Sequence, residues 1–326
     1  HPNAAKVAIN WLLSREGQQA YQKYGYDKDS LRIDIPKDKV PSRIRRKDGV
    51  DYLVLAGPGE VSSTLIFSAG SLKASESSFW SGLWNQSSDA SVEVAKDKTL
   101  RYSGGDHEVG VHALEIKGSG SPELTAANSS LVLGDPQGHL ELTGNGNIPQ
   151  VVVKATPAEG RGLSITGQPS LSGLEFQVDS SISATQQFSV DGGILISGVK
   201  LTLNDSGTFA SSLVLDGGIL EVTGQPTLSG VVSQQAASKI KLAQSANLTT
   251  QQAVDLGSSV LSLEGPGTFT NGQPFVFNQS GAGLELRDSV EVAGAVKLGG
   301  GVLRSSGDSK LSGALSLSSD GSVEIA

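Results

Sequence analysis

The chain contains no cysteine and no methionine, and only 5% of its 326 residues are aromatic. Without cysteine there is no disulfide framework, no thiolate metal site and no cysteine nucleophile. No apolar run approaches the roughly 20 residues that a membrane-crossing helix requires, so no membrane span is expected. The missing methionine leaves no initiator, and no signal peptide precedes His1. A processed chain, or one cut from something longer, is expected. Glycine, in contrast, is abundant: 41 residues, well above the average share of about 7%. Hydrophobic residues make up 37%, enough for a core built from Leu, Val and Ile rather than from rings.

The net charge of −8 is divided unevenly. Residues 1–50 carry 11 basic and six acidic side chains, a balance of +5, and the remainder carries −13. An acidic, thinly charged body argues against a nucleic-acid partner, which requires a basic face to displace counterions. The run Arg43-Ile44-Arg45-Arg46-Lys47 reads as a solvated connector in preference to a phosphate or lipid-headgroup patch.

Asn3 to Tyr24 reads as helix. Ala4, Ala5, Val7, Ala8, Trp11 and Leu12 recur at steps of three and four and form one apolar stripe. Asn3 is placed to cap its start and Gly25 its end, and Val50 to Leu55 reads as a strand. In this region His1-Pro2-Asn3-Ala4-Ala5-Lys6, Ile9-Asn10-Trp11-Leu12-Leu13-Ser14-Arg15-Glu16-Gly17-Gln18, Ser30-Leu31-Arg32-Ile33-Asp34-Ile35-Pro36 and Arg45-Arg46-Lys47-Asp48-Gly49-Val50 resemble the closing segment of periplasmic solute-binding proteins. The branch they resemble is the iron(III)-type one of the ABC importers. The resemblance covers residues 1–52 and implies a bacterial envelope context. It carries no ligand-binding residue with it, because the paired tyrosines of the metal-binding members have no counterpart here.

From Gly57 onward, short apolar runs are punctuated by Gly, Ser, Asn and Asp. Residues 217–230 align without a gap to residues 300–313. The shared skeleton has two apolar residues two apart, a turn residue two further on, and another apolar residue four beyond that. It recurs as Leu140/Leu142/Gly144/Ile148, Leu163/Ile165/Gly167/Leu171, Ile240/Leu242/Gln244/Leu248, Leu261/Leu263/Gly265/Phe269 and Leu284/Leu286/Asp288/Val292. From Gly224 the turn positions 224, 244, 265, 288 and 307 are 20, 21, 23 and 19 residues apart. Apolar residues at i and i+2 share one face of a strand, and Gly, Asn and Asp turn the chain at little cost. One such coil buries too little to stand alone, but stacked coils share a continuous aliphatic column.

The expected fold is therefore mainly β: a right-handed parallel β-solenoid over residues 56–326, preceded by a short helical segment over 1–55. An antiparallel sandwich is the competing arrangement. Residues 57–115 fit the repeat less well, as a first coil or cap would. The chain ends in mid-strand at Val323-Glu324-Ile325-Ala326, and a truncated solenoid is expected. The body resembles the repeats of autotransporter passengers and large adhesins.

Few groups suggest chemistry. His107, Glu108 and His112 are the weak metal candidates. Their spacing departs from H-E-x-x-H, and on a strand positions 107 and 112 face opposite ways, so a polar turn is the better reading. Phe79, Trp80 and Trp84 are the carbohydrate-stacking candidates, set against a ring cluster that seals a core end. Glycosidic cleavage needs two carboxylates flanking a cleft. Glu141/Glu221 and Glu264/Glu285 are the pairs considered, although their alternation with Leu and Val marks them as solvated strand residues. No catalytic residue and no cofactor is assigned.

The function expected is structural or adhesive, non-catalytic, and secreted or at the cell surface, with surface carbohydrate or a host or matrix protein as partner. A carbohydrate-active β-helix (polysaccharide lyase or hydrolase) and a fragment of a periplasmic solute-binding protein are the alternatives.

Overall fold

The computed structural model describes residues 19–20, 52–55, 60–62, 65–67, 70–82, 84–124, 130–277, 279–317 and 320–325. The chain divides into two compact units, His1–Leu53 and Val54–Ala326. Of the expected N-terminal helix only Gln19 and Ala20 are described, and both are helical. The rest of that helix and the Arg43–Lys47 run lie outside the described residues.

The second unit is a parallel β-solenoid with three strands to a coil. One coil illustrates the path: Val260–Glu264, then Thr268–Asn271, then Phe275–Phe277, after which Gly283–Arg287 starts the next coil directly against the first strand. Three faces result. The first is a single continuous sheet that runs from Gly70–Ala74 to Ser322–Ile325. The second is a four-stranded sheet ending with Ser121–Leu124 and a nine-stranded sheet starting at Asn147–Ile148. The third is a two-stranded sheet of Leu65–Phe67 and Trp84–Gln86 and an 11-stranded sheet starting at His107–Glu108. Among the described strands every pairing is parallel, and the one antiparallel contact is an isolated bridge between Ser197 and Gly217. The antiparallel sandwich is thereby displaced.

The repeat read from the sequence is the first-face strand, the corner and the second-face strand of each coil. Leu140, Leu163, Leu261 and Leu284 point inward on the first face, and Ile148, Leu171, Phe269 and Val292 on the second. Inward residues stack on their own kind from coil to coil, so Leu220, Ile240, Leu263 and Leu286 form one column that is at most 2% exposed. Each buried aliphatic side chain of this kind contributes about 1.5–3 kcal/mol relative to exposure.

The corners explain part of the glycine excess. Gly265 has φ +99°, where an L side chain is strained, and a Cβ there would collide with the Leu242 carbonyl of the coil before. Gly224 has an ordinary φ, but its Cβ would collide with the Asp205 carbonyl. One glycine is required by backbone conformation and the other by close approach of the coils. The described part of residues 57–115, which fit the repeat less well, forms coils of the same three-strand kind. Their departure is in the core, where Trp80, Trp84 and Tyr102 replace aliphatic residues.

Candidate functional site

The aromatic and histidine candidates come together inside the solenoid rather than on it. Trp84 starts a third-face strand and is 8% exposed, and Trp80 closes a second-face strand and is 2% exposed. Phe79, which precedes Trp80 and alternates with it on the strand, is half-buried on the outward side. Trp84 stacks on Tyr102 with ring centroids 4.7 Å apart, and its main-chain N–H donates to the Tyr102 hydroxyl at 3.1 Å. His107 meets Trp84 edge-on at 5.5 Å. The two indoles thus belong to the core, where a sugar ring has no access, and the cluster fills the cross-section as a core-sealing group does.

His107 and Glu108 occupy one short strand with opposite orientations, His107 fully buried and Glu108 exposed. His112 sits beyond it, part-buried, in a corner. Among the described residues no three His, Asp or Glu side chains gather in a way that would hold a metal ion. Burial pushes the His107 imidazole down to about 4, against a weaker opposing influence of the Trp84 main chain. Burial also raises the Tyr102 phenol, opposed by the Trp84 N–H.

The acidic candidates fall on the outward side of the first face, where register decides their neighbours. Glu221 lies opposite Thr202 on one side and Lys241 on the other, far along the stack from Glu141. Its carboxylate is held below the usual range by a hydrogen bond from Lys200 at 3.0 Å, with burial opposing and Thr202 and the Lys241 charge assisting. Glu264 bonds Lys239 at 2.9 Å; burial pulls it up, but bonds from Lys239 and Ser262 and the lysine charges outweigh that and lower it. Glu285 pairs with Arg287 and Arg304. These carboxylates are rungs in alternating-charge ladders of the kind that stabilises neighbouring strands.

Glu141 is different. Its register partner is Glu115, not Glu221. Glu115 accepts from Lys117 and from the Thr143 hydroxyl, both at 3.1 Å, whereas Glu141 has no hydrogen bond or ion pair among the described residues. The two line an open groove of about 260 Å³ with Ser71, Asp89 and Ser91. Like charges directly opposite one another are unfavourable, and among the described registers of this face no other two carboxylates are paired. The pair escaped the sequence because 26 residues separate its members, a coil longer than the repeat of about 21.

The second face has another character. From Asn147 to Thr270 its outward strand residues are Asn147, Ser170, Gln187, Ser189, Thr208, Thr227, Asn247, Thr249, Thr268 and Thr270, none of them charged. Thr208, Thr227, Thr249 and Thr270 are register partners in four successive coils.

Among the described residues no helix is long and apolar enough to cross a membrane. Comparison of the chain with family models, curated proteins and solved structures finds no match, so the likeness of residues 1–52 to solute-binding proteins gains no support from relatives.

Proposed function

We infer that this β-solenoid has a non-catalytic structural or adhesive role, displayed outside the cytoplasm on a secreted or surface chain, with a periplasmic setting as the alternative. The observation that carries the reading is the contrast between faces. The first face is tied by coil-to-coil ion pairs, and the second offers seven successive strands of neutral hydroxyl and amide groups. A rigid, uncharged, hydrogen-bonding face suits surface carbohydrate or a polar matrix protein.

The test is binding of the intact chain to a glycan and matrix-protein panel, with Thr227→Arg/Thr249→Arg on the second face and Lys241→Ser on the first. Retention that is lost only in the double Arg variant is expected. Absence of any retained ligand, or equal loss in both variants, would overturn the reading.

A carbohydrate-cleaving role is the second reading, favoured by the Glu115–Glu141 pair in its groove. Carboxyl groups about 5–5.5 Å apart serve double-displacement cleavage. Release of new reducing ends from polysaccharide, abolished in Glu141→Gln, would establish it; a flat polysaccharide screen would remove it.

A further inference from the structure

Thr208, Thr227, Thr249 and Thr270 stand one above another on the outward side of four successive coils of the second face. They are 19, 22 and 21 residues apart in the chain, yet no register shift interrupts their ladder, because the corners absorb the differences in coil length. Strand spacing therefore sets neighbouring threonines about 4.8 Å apart. In the last two of these coils a second outward column runs beside the first, with Asn247 against Thr268. It lies two residues away along each strand, and hence about 6.6 Å from the first column. The result is a regular net of neutral hydrogen-bonding groups.

Among the described residues neither of the other faces carries such a net. The outward columns of the first face hold the ion pairs Lys200–Glu221, Lys239–Glu264 and Arg304–Glu324. On the third face, the column through Glu175, Leu195, Val214, Ser233 and Asp255 mixes carboxylates with aliphatic side chains. A register shift between Leu215 and Asp216 also interrupts that face.

We propose that the threonine net is an ice-binding surface, by which the second face adheres to the lattice of crystalline water. The proposal rests on the reading of this face as the adhesive one and names its ligand. Both spacings of the net are close to the oxygen repeats on the prism face of hexagonal ice. Hydroxyls one coil apart and two residues apart thus meet lattice waters together. One hydroxyl gains little by such an exchange, since a single hydrogen bond made in place of one to liquid water has a small net effect. A row held at the lattice repeat on a rigid support makes many such contacts at once, and their effect multiplies.

Charge points the same way. Ice excludes ions, and a charged side chain keeps a hydration shell that the lattice cannot accept. The outward strand residues of the second face from Asn147 to Thr270 are uncharged. The net ends where Glu291, the register partner of Thr268, pairs with Lys310 at 3.2 Å. Threonine also suits the task by its stiffness: the β-branch restricts χ1, so contact with a solid orders less than it would in a long polar side chain. The Thr270 hydroxyl donates to Asn247 at 3.0 Å, whereas those of Thr208, Thr227 and Thr249 have no hydrogen-bond partner among the described residues.

The test is partition of the intact chain between ice and solution while a dilute sample freezes slowly onto a cold surface, read against a co-dissolved protein without ice affinity. The wild type is expected to be enriched in the ice and the reference protein to stay in the liquid. Thr227→Gln/Thr249→Gln keeps the face neutral and hydrogen-bonding but breaks the stiff, evenly spaced column, and should lose the enrichment. Thr208→Gln/Thr270→Gln is a second pair with the same expectation, and circular dichroism shows which variants keep the solenoid. Lys241→Ser on the first face should partition as the wild type does. Exclusion of the wild type from ice overturns the proposal, as does enrichment of folded Gln pairs equal to that of the wild type, or a loss in Lys241→Ser as great as theirs. The glycan and matrix-protein panel separates this from the underlying reading. Retention there without ice enrichment overturns the proposal and leaves the adhesive face standing, and failure of both removes the two together. Ice enrichment without retention sustains the proposal and removes carbohydrate and matrix protein as the partners.

Discussion

At the scale of single residues, the polar groups inside the column are the ones whose contribution is least obvious. Thr250 is fully buried in the column that runs from Leu228 to Asn271, and its hydroxyl has no hydrogen-bond partner. Asn271, next in the column, spends its amide N–H groups on the Gln273 and Ala295 carbonyls at 2.7 and 2.9 Å. Its side chain occupies the space that a Cβ on Gly294 would need. The amide therefore closes a corner, whereas the Thr250 hydroxyl closes nothing. An unpartnered buried hydroxyl costs about 1–3 kcal/mol, and valine has nearly the same shape. Thr250→Val is expected to stabilise the fold by about 1 kcal/mol, seen as a higher urea midpoint at unchanged slope. Asn271→Leu should destabilise it, because two carbonyls lose their donors and Gly294 leaves no room for a branched replacement.

At the scale of strands and coils, register converts a weakly charged sequence into ladders. Lys73 faces Glu93 at 2.7 Å and Arg304 faces Glu324 at 2.8 Å, one coil apart in each case. Individually such exposed pairs contribute about 0.2–1 kcal/mol, so their collective use is to favour one register over a slipped one. The carboxylates of Glu221 and Glu264 are lower in the folded chain than the ordinary 4.5. A lowered acid stabilises above its unfolded value and loses that stabilisation as the pH falls through the folded one. Urea midpoints should therefore fall below about pH 4.5 and fall less steeply in Glu221→Gln; an unchanged slope with pH would show that the ladder carries no linkage.

The same register explains what could be read from the sequence. The pair Leu261/Leu263, the turn at Gly265 and Phe269 are local, so their spacing reveals the first two strands and the corner between them. The third strand, Phe275–Phe277 in that coil, is short and is followed by a connection of variable length, long between Val151–Val153 and Gly162–Ile165 and a single residue between Val232–Ala236 and Ser238–Leu242, so the next coil starts at no fixed offset. Which outward residues meet depends on coil length, which is why Glu141 finds Glu115 rather than Glu221. The inward turn of Trp80 and Trp84 was equally hidden, since aromatic residues suit a core and a sugar platform alike.

At the scale of the whole solenoid unit, stability is distributed along the stack. Each coil contacts only its neighbours, so stability approximates a sum of coil terms and interface terms. Leu263, in mid-stack, is fully buried, while Leu315, Leu317, Val323 and Ile325 in the final coil are 38%, 52%, 37% and 84% exposed. The register partners of Leu315, Leu317 and Val323 one coil earlier, Val296, Leu298 and Leu303, are at most 3% exposed. Among the described residues the final coil packs against a neighbour on one side, where its strand Ser322–Ile325 pairs with Val302–Ser305. Leu263→Ala should cost about 2–5 kcal/mol, the range for a buried leucine, and Leu317→Ala under about 0.5 kcal/mol, as for a surface substitution. Hydrogen exchange should rank the coils in the same order, with amides of 322–325 exchanging at near-open rates and those of 260–264 opening only with the unit. Equal protection at both places would mean that the stack unfolds as one cooperative block, with interfaces between coils strong enough to override the local deficit at its end.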